Sequence, residues 1–174
     1  MGLIELVAAV VVITIALLAL MASYDQAFFS LHAAARKSAA ASLAESQLEL
    51  IAAIPYAQIG LSSSLLTTAN SDTTYSADKA ALSSSGTDVT YASCTTSVAQ
   101  CKPLQTSVLG SDGKNYRVET FIRDVSQDLT CQGVTGTCGT TTERDVTVIV
   151  RDPNVSGSPQ VYEVTASFDE GPRS

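Results

Sequence analysis

No lysine or arginine occurs before Arg36, so the N-terminus does not read as a secretory signal peptide, which opens on positive charge and closes on a small-residue cleavage site. Basic residues are few throughout, 10 against 17 acidic ones in 174 residues, giving a formal net charge of -7. A surface of that sign repels phosphate backbones, which lowers the expectation of nucleic-acid binding and leaves room only for a local basic patch. Histidine is almost absent: His32 is the single one, and it falls in helical sequence, poorly placed for a triad. No Gly-x-Ser-x-Gly, His-Glu-x-x-His, Walker loop or dinucleotide fingerprint occurs either. The expectation is a non-enzyme with no cofactor, metal or small-molecule substrate. Glycine and proline are missing between Leu3 and Ile54, so nothing there breaks a helix.

What is present is unevenly distributed. From Leu6 to Ala22 there is no charged residue, and Thr14 is the only polar one. As a helix this run covers about 30 Å, enough for the hydrocarbon core of a bilayer. Glu5 stands at its edge, where a charge is costly and commonly has a partner or a function. After residue 60, Ser, Thr, Gly and Asp dominate. The length fits one modest globular domain joined to a special segment.

Beyond Ala22, Ser23–Phe29 mixes polar and aromatic residues, and an Ala-rich run of good helix formers continues to Ile54. Leu43, Ala44, Leu48, Ile51 and Ala52 fall at spacings compatible with one helical face, with Glu45 and Glu49 opposite. Pro55 disfavours helix at Ile54. The pattern predicts one helix over about 3–54, an apolar stem (1–25) and an amphipathic half (26–54), followed by a globular head over 55–174. Alanines 33–35 and 39–41 either permit close helix–helix approach or reflect helix propensity alone.

In the head, Gly60–Ala92 reads as a Ser/Thr-rich connection that includes a short helix among Tyr75, Ala80, Ala81 and Leu82. Asn115–Arg123, Asp145–Arg151 and Gln160–Phe168 are strand-like, and Thr87–Tyr91 is a fourth candidate. Ser111-Asp112-Gly113, Gly136 with Gly139, and Pro153-Asn154 with Gly157 supply turns between them. A small antiparallel sheet needs a partner for its apolar face, and the second half of the helix provides one, so the expected class is α+β. The four cysteines, Cys94, Cys101, Cys131 and Cys138, form an even set in polar, loop-like sequence, which favours disulfides and an oxidising, extracytoplasmic location over a zinc site. Three connectivities exist. The preferred one is local, Cys94–Cys101 and Cys131–Cys138, each closing a short loop. Asp112-Gly113 reads as a plain turn in preference to part of a calcium loop. Asn154-Val155-Ser156 is a glycosylation sequon in a turn, and Thr140–Thr142 a hydroxyl cluster.

The stretch Gly2-Leu3-Ile4-Glu5-Leu6-Val7 followed by about fifteen apolar residues resembles the N-terminal motif of the type IV pilin family, which includes minor pilins and pseudopilins. The likeness covers only about the first 25 residues. It implies a long helix packed on a small β-sheet head, and it implies that Met1 is a processed, N-methylated terminus; an initiator methionine would lack the added methyl mass. It further implies that Glu5 pairs with the α-amine of Met1 on a neighbouring subunit and sets the axial register. The plainer alternative is that Glu5 caps its own helix. Many bacterial members carry Gly and Pro in the first half of the helix, where this chain has Thr14 and Ala22, so a continuous helix is expected, with Thr14 free to bond back to a backbone carbonyl.

By this resemblance the chain is a subunit of an extracellular homopolymer serving adhesion, surface motility or DNA uptake. It would reside in the inner membrane before assembly, with a prepilin peptidase, a membrane platform and cytoplasmic ATPases as partners. Two rival readings share parts of the sequence signal. One is a minor pilin or secretion pseudopilin present in few copies. The other is a single-pass membrane protein with an extracellular binding domain, which would make no use of Glu5.

Overall fold

In a computed structural model, residues 2–82, 86–94, 98–128 and 140–170 are described, with the side chains of 126–128 and 140–142 excepted. The chain divides into two compact units, Met1–Ser38 and Ala39–Ser174.

Helix α1 spans Leu3–Ala52. The continuity expected from the missing glycine and proline is present, and the helix ends two residues before the expected Ile54, with the Ile54 amide bonded to the Ile51 carbonyl at 3.2 Å. In the first unit every described side chain up to Ala35 is exposed. In the second unit α1 buries Ala39, Ala40, Ala44, Gln47 and Ile51. The 40, 44, 47, 51 spacing is one helical stripe, and its first members are alanines, which let the backbone approach the sheet closely. Leu43 and Leu48 are half-buried beside it, and Glu45 and Glu49 face solvent. Ala52, expected on the apolar face, is exposed, because the chain turns away after Ile51 toward Pro55.

The region read as a connection folds into two helices, α2 (Ser63–Asn70) and α3 (Thr73–Ala81). The short helix expected among Tyr75, Ala80, Ala81 and Leu82 is thus α3, and α2 is an addition. Asp72 caps α3, accepting the amides of Thr74 at 3.0 Å and Tyr75 at 2.9 Å.

Among the described residues, five antiparallel strands form one sheet: β1 (Thr87–Asp88), β2 (Leu104–Leu109), β3 (Asn115–Asp128), β4 (Thr140–Arg151) and β5 (Gln160–Asp169). Their order is β1-β3-β4-β5, with β2 on the same edge of β3 as β1. β3 and β4 run in unbroken register from Arg117↔Arg151 to Asp128↔Thr140. The expected strands at 115, 145 and 160 are present and longer at one end, the candidate over Thr87–Tyr91 shrinks to β1, and β2 is a further addition.

Alternation sorts the sheet into two faces. Tyr75 of α3 stacks on Phe121 with ring centroids 4.5 Å apart, and Asp72 and Asp78 meet Arg117 and Arg151, so the odd residues of β3 and β4 face α3. The even residues Tyr116, Val118, Ile122, Val146, Val148 and Val150 are buried with Ala40, Ala44 and Ile51 of α1 in a single core. Cover on both faces explains the near-continuous apolar run of β4. Arg144 ties the turn after α1 to this sheet: it lies 4.4 Å from the Tyr56 ring centroid, donates to the Tyr56 and Ile59 carbonyls at 2.5 and 2.9 Å, and pairs with Asp124 at 3.0 Å.

Candidate functional site

The first-unit part of α1 is the candidate site. It is built from sequence composition: Ala, Leu and Met favour helix, and the β-branched Val and Ile are tolerated there with small propensity losses. By length and composition α1 can cross a membrane, its best 18-residue window having a mean hydropathy of 2.9 and none of it buried. Thirteen large apolar side chains from Leu3 to Met21 are 51–87% exposed. Tyr24, Phe28 and Phe29 continue the exposed series at 64, 59 and 76%.

The hydroxyls of Thr14 and Ser23 are satisfied within the helix. Thr14 Oγ1 donates to the Val10 carbonyl at 2.8 Å, the back-bond expected from the sequence, and Ser23 Oγ donates to the Ala19 carbonyl at 2.9 Å. Neither hydroxyl therefore needs water, which is the condition for lying in hydrocarbon. Glu5 is the exception. Its amide bonds to the Gly2 carbonyl at 3.0 Å, while its carboxylate stands exposed in the first turn, where the unpaired amides of the helix favour negative charge. Met1 lies outside the described residues.

The head carries the other residues singled out from sequence. A disulfide joins Cys94 and Cys101 across a Cα–Cα distance of 5.7 Å. It clips the loop whose Ala99 carbonyl accepts from Gln47 of α1 at 3.2 Å and whose Cys101 carbonyl accepts from the Ser62 amide at 3.0 Å. Cys131 and Cys138 lie outside the described residues, as do Gly136, Gly139 and the side chains of Thr140–Thr142. Asn154 is exposed, and its Nδ2, the atom a glycan would occupy, donates to the Asn115 carbonyl at 3.1 Å and to Asp152 Oδ1 at 3.0 Å. Asp112 shapes the β2–β3 turn, accepting the Lys114 amide at 3.2 Å and the Tyr116 hydroxyl at 2.8 Å, with Gly113 at φ +76°. His32 is exposed on α1. Among the described residues no group of three or more His, Cys, Asp or Glu is arranged to hold a metal ion.

Sequence reasoning missed a ladder of charges beneath α3. Arg117 is bidentate to Asp72, at 2.6 and 3.1 Å, and its Nε donates to Glu119 at 2.5 Å. Arg151 grips both carboxylate oxygens of Asp78. The Arg117 hydrogen bonds pull the Asp72 carboxyl down to about 2. Burial pushes Glu119 up to about 7, helped by the neighbouring Asp78 carboxyl and opposed by Arg117. Strand alternation of Arg117, Glu119 and Phe121 was legible, but nothing local says that Asp72 and Asp78 lie across from them.

Compared with protein-family models, curated proteins and solved structures, the chain shows no match.

Proposed function

We propose that this chain is the structural subunit of an extracellular type IV pilus-like filament, held together by lateral burial of its N-terminal helices, and not an enzyme. One observation carries the reading: a helix segment with no buried side chain, apolar around its whole circumference, that bears a single carboxylate at its leading end. A helix hydrophobic on all sides needs cover all round, from lipid or from other helices. Lipid meets that need before assembly, and copies of the same helix meet it afterwards. Measured against exposure to water outside the membrane, at about 1.5–3 kcal/mol per fully buried large side chain, the thirteen between Leu3 and Met21 represent roughly 20–40 kcal/mol before the entropy of association is subtracted. This supplies cohesion and no register, because packing of apolar surface is non-directional.

Glu5 supplies the register. A carboxylate drawn into an apolar bundle must find a positive partner. The resemblance names that partner as the α-amine of Met1 on an adjacent copy. The platform, ATPases and peptidase that the resemblance implies would drive subunits out of the membrane. The test is to shear cells, purify filaments and identify their dominant protein, for wild type and Glu5→Gln. Wild-type filaments composed mainly of this chain, with Glu5→Gln present in membranes at normal level but few or no filaments, support the reading. A wild-type chain that stays solitary in the membrane defeats it and favours a single-pass anchored binding protein, while filaments of normal number and length from Glu5→Gln defeat the register role of Glu5.

A further inference from the structure

The ladder beneath α3 does not balance. Three carboxyl groups, Asp72, Asp78 and Glu119, meet two guanidinium groups, Arg117 and Arg151. Glu119 is wholly buried, and while Oε1 takes the Arg117 Nε–H, Oε2 has no donor. The Asp78 carboxyl neighbours it, and its oxygens already accept from Arg151. Two carboxylates are both acceptors and repel; they form a hydrogen bond only if one of them carries a proton.

The other charged groups on this face do not fill the gap. On α3, Lys79 is paired with Asp88 of β1. On β3, Arg123 donates to the carbonyls of Lys79 and Leu82, both at 2.6 Å, at the C-terminal end of α3. Tyr75 sends its hydroxyl proton to the Thr120 carbonyl at 3.2 Å, and burial raises its ionisation well above the ordinary tyrosine value, so it stays neutral. On β5, Glu163 lies across Ile149 from Glu119 in the register and accepts from Gln160, adding only further negative charge.

We propose that Glu119 and Asp78 share one proton, forming a protonation-linked latch that holds α3 on the sheet and loosens as the medium passes from acid to neutral. With the proton in place, Glu119 donates to Asp78, Asp78 stays bound to Arg151, and Arg117 bridges Glu119 and Asp72, so all three acids that touch α3 are satisfied. Without it, Glu119 beneath α3 and Asp78 on α3 are two adjacent anions, both buried, where their repulsion is poorly screened. Lifting α3 away would hydrate both, and the face it would expose carries Phe121 and Arg117.

The test uses the full chain in detergent micelles with the Glu side-chain carboxyl carbons labelled with carbon-13. One glutamate resonance, assigned to Glu119 by its loss in Glu119→Gln, is expected to titrate near neutrality. Backbone hydrogen exchange supplies the structural readout. From a Glu119 carboxyl that titrates at about 7 with α3 closed and at 4.5 with it open, α3 amide protection is expected to fall about tenfold between pH 6 and 8.5, beyond the intrinsic change in exchange rate. Amides of β4 should show no such loss. Glu119→Gln, which keeps a neutral donor toward Asp78, should flatten the α3 dependence. A Glu119 carboxyl that titrates below 5, or α3 protection with the same pH dependence in wild type and Glu119→Gln, would overturn the latch. Should the variant fail to fold, the wild-type carbon titration, assigned by through-bond correlation, decides alone.

Discussion

Replacing Ile13 by aspartate places a charge near the middle of the apolar run, eight residues from Glu5 and twelve from Asp25, beyond the reach of any i,i+4 partner. Ile13 is 59% exposed and Leu17, one turn on, 55% exposed. On a membrane-insertion scale each large aliphatic residue contributes about −0.3 to −0.6 kcal/mol, so the thirteen from Leu3 to Met21 give roughly −4 to −8 kcal/mol. One central aspartate reverses about 3–4 kcal/mol of that, and Ile13→Asp with Leu17→Asp about 6–8 kcal/mol. The single variant should therefore remain partly or largely in carbonate-washed membranes, and the double variant should leave them. Because neither side chain is buried in the protein, the head should be unaffected, as read by retention of the Cys94–Cys101 bond in mass mapping before and after reduction. A double variant as firmly membrane-bound as wild type would refute the claim that the apolar run is what holds the chain in lipid. A head that unfolds with it would refute the claim that this segment carries no load in the folded subunit.

Two further outcomes concern the head. Cys94→Ser with Cys101→Ser should lower its unfolding free energy by about 2.5 kcal/mol on the chain-entropy estimate for a loop of this size, checked by denaturant titration under non-reducing conditions; an unchanged midpoint would mean that Gln47 and Ser62 alone hold the loop. Asp72 has its acidity strengthened by folding, from 3.8 to about 2, so its stabilising effect is complete above about pH 4 and is lost as pH falls toward 2. Asp72→Asn keeps a capping oxygen and gives up the Arg117 pair, so thermal melts should show the variant below wild type at pH 6 and the gap closing by pH 2; a gap constant with pH would place the effect in the cap instead.

Much of the fold was legible because it rests on local information. The helix from Leu3 follows from helix-forming residues and the lack of breakers, and β3, β4 and β5 follow from β-branched alternation between turn residues. The Cys94–Cys101 pairing was the local choice among those open. Within the segment over 60–82, α2 was missed because Ser and Thr are indifferent helix formers whose composition matches a loop. α3 is fixed by Asp72 capping it while held by Arg117, 45 residues away, and by Tyr75 stacking on Phe121. β2 was missed because Leu104–Leu109 alternates weakly and lies on an edge, paired on one side only.

By itself the sequence determined where the apolar segment lies, that it is helical and unbroken, and that one acid sits at its leading end, since composition and period act over a few turns. Only the tertiary structure decided which alanines of α1 enter the core, that Asp72 and Asp78 meet Arg117 and Arg151, and that Glu119 is shut beneath α3 beside a second carboxyl. Those pairings join residues far apart in the chain, 45 positions for Asp72 with Arg117 and 73 for Asp78 with Arg151, and it is the closing of β3 and β4 against α3 that brings them within hydrogen-bonding distance.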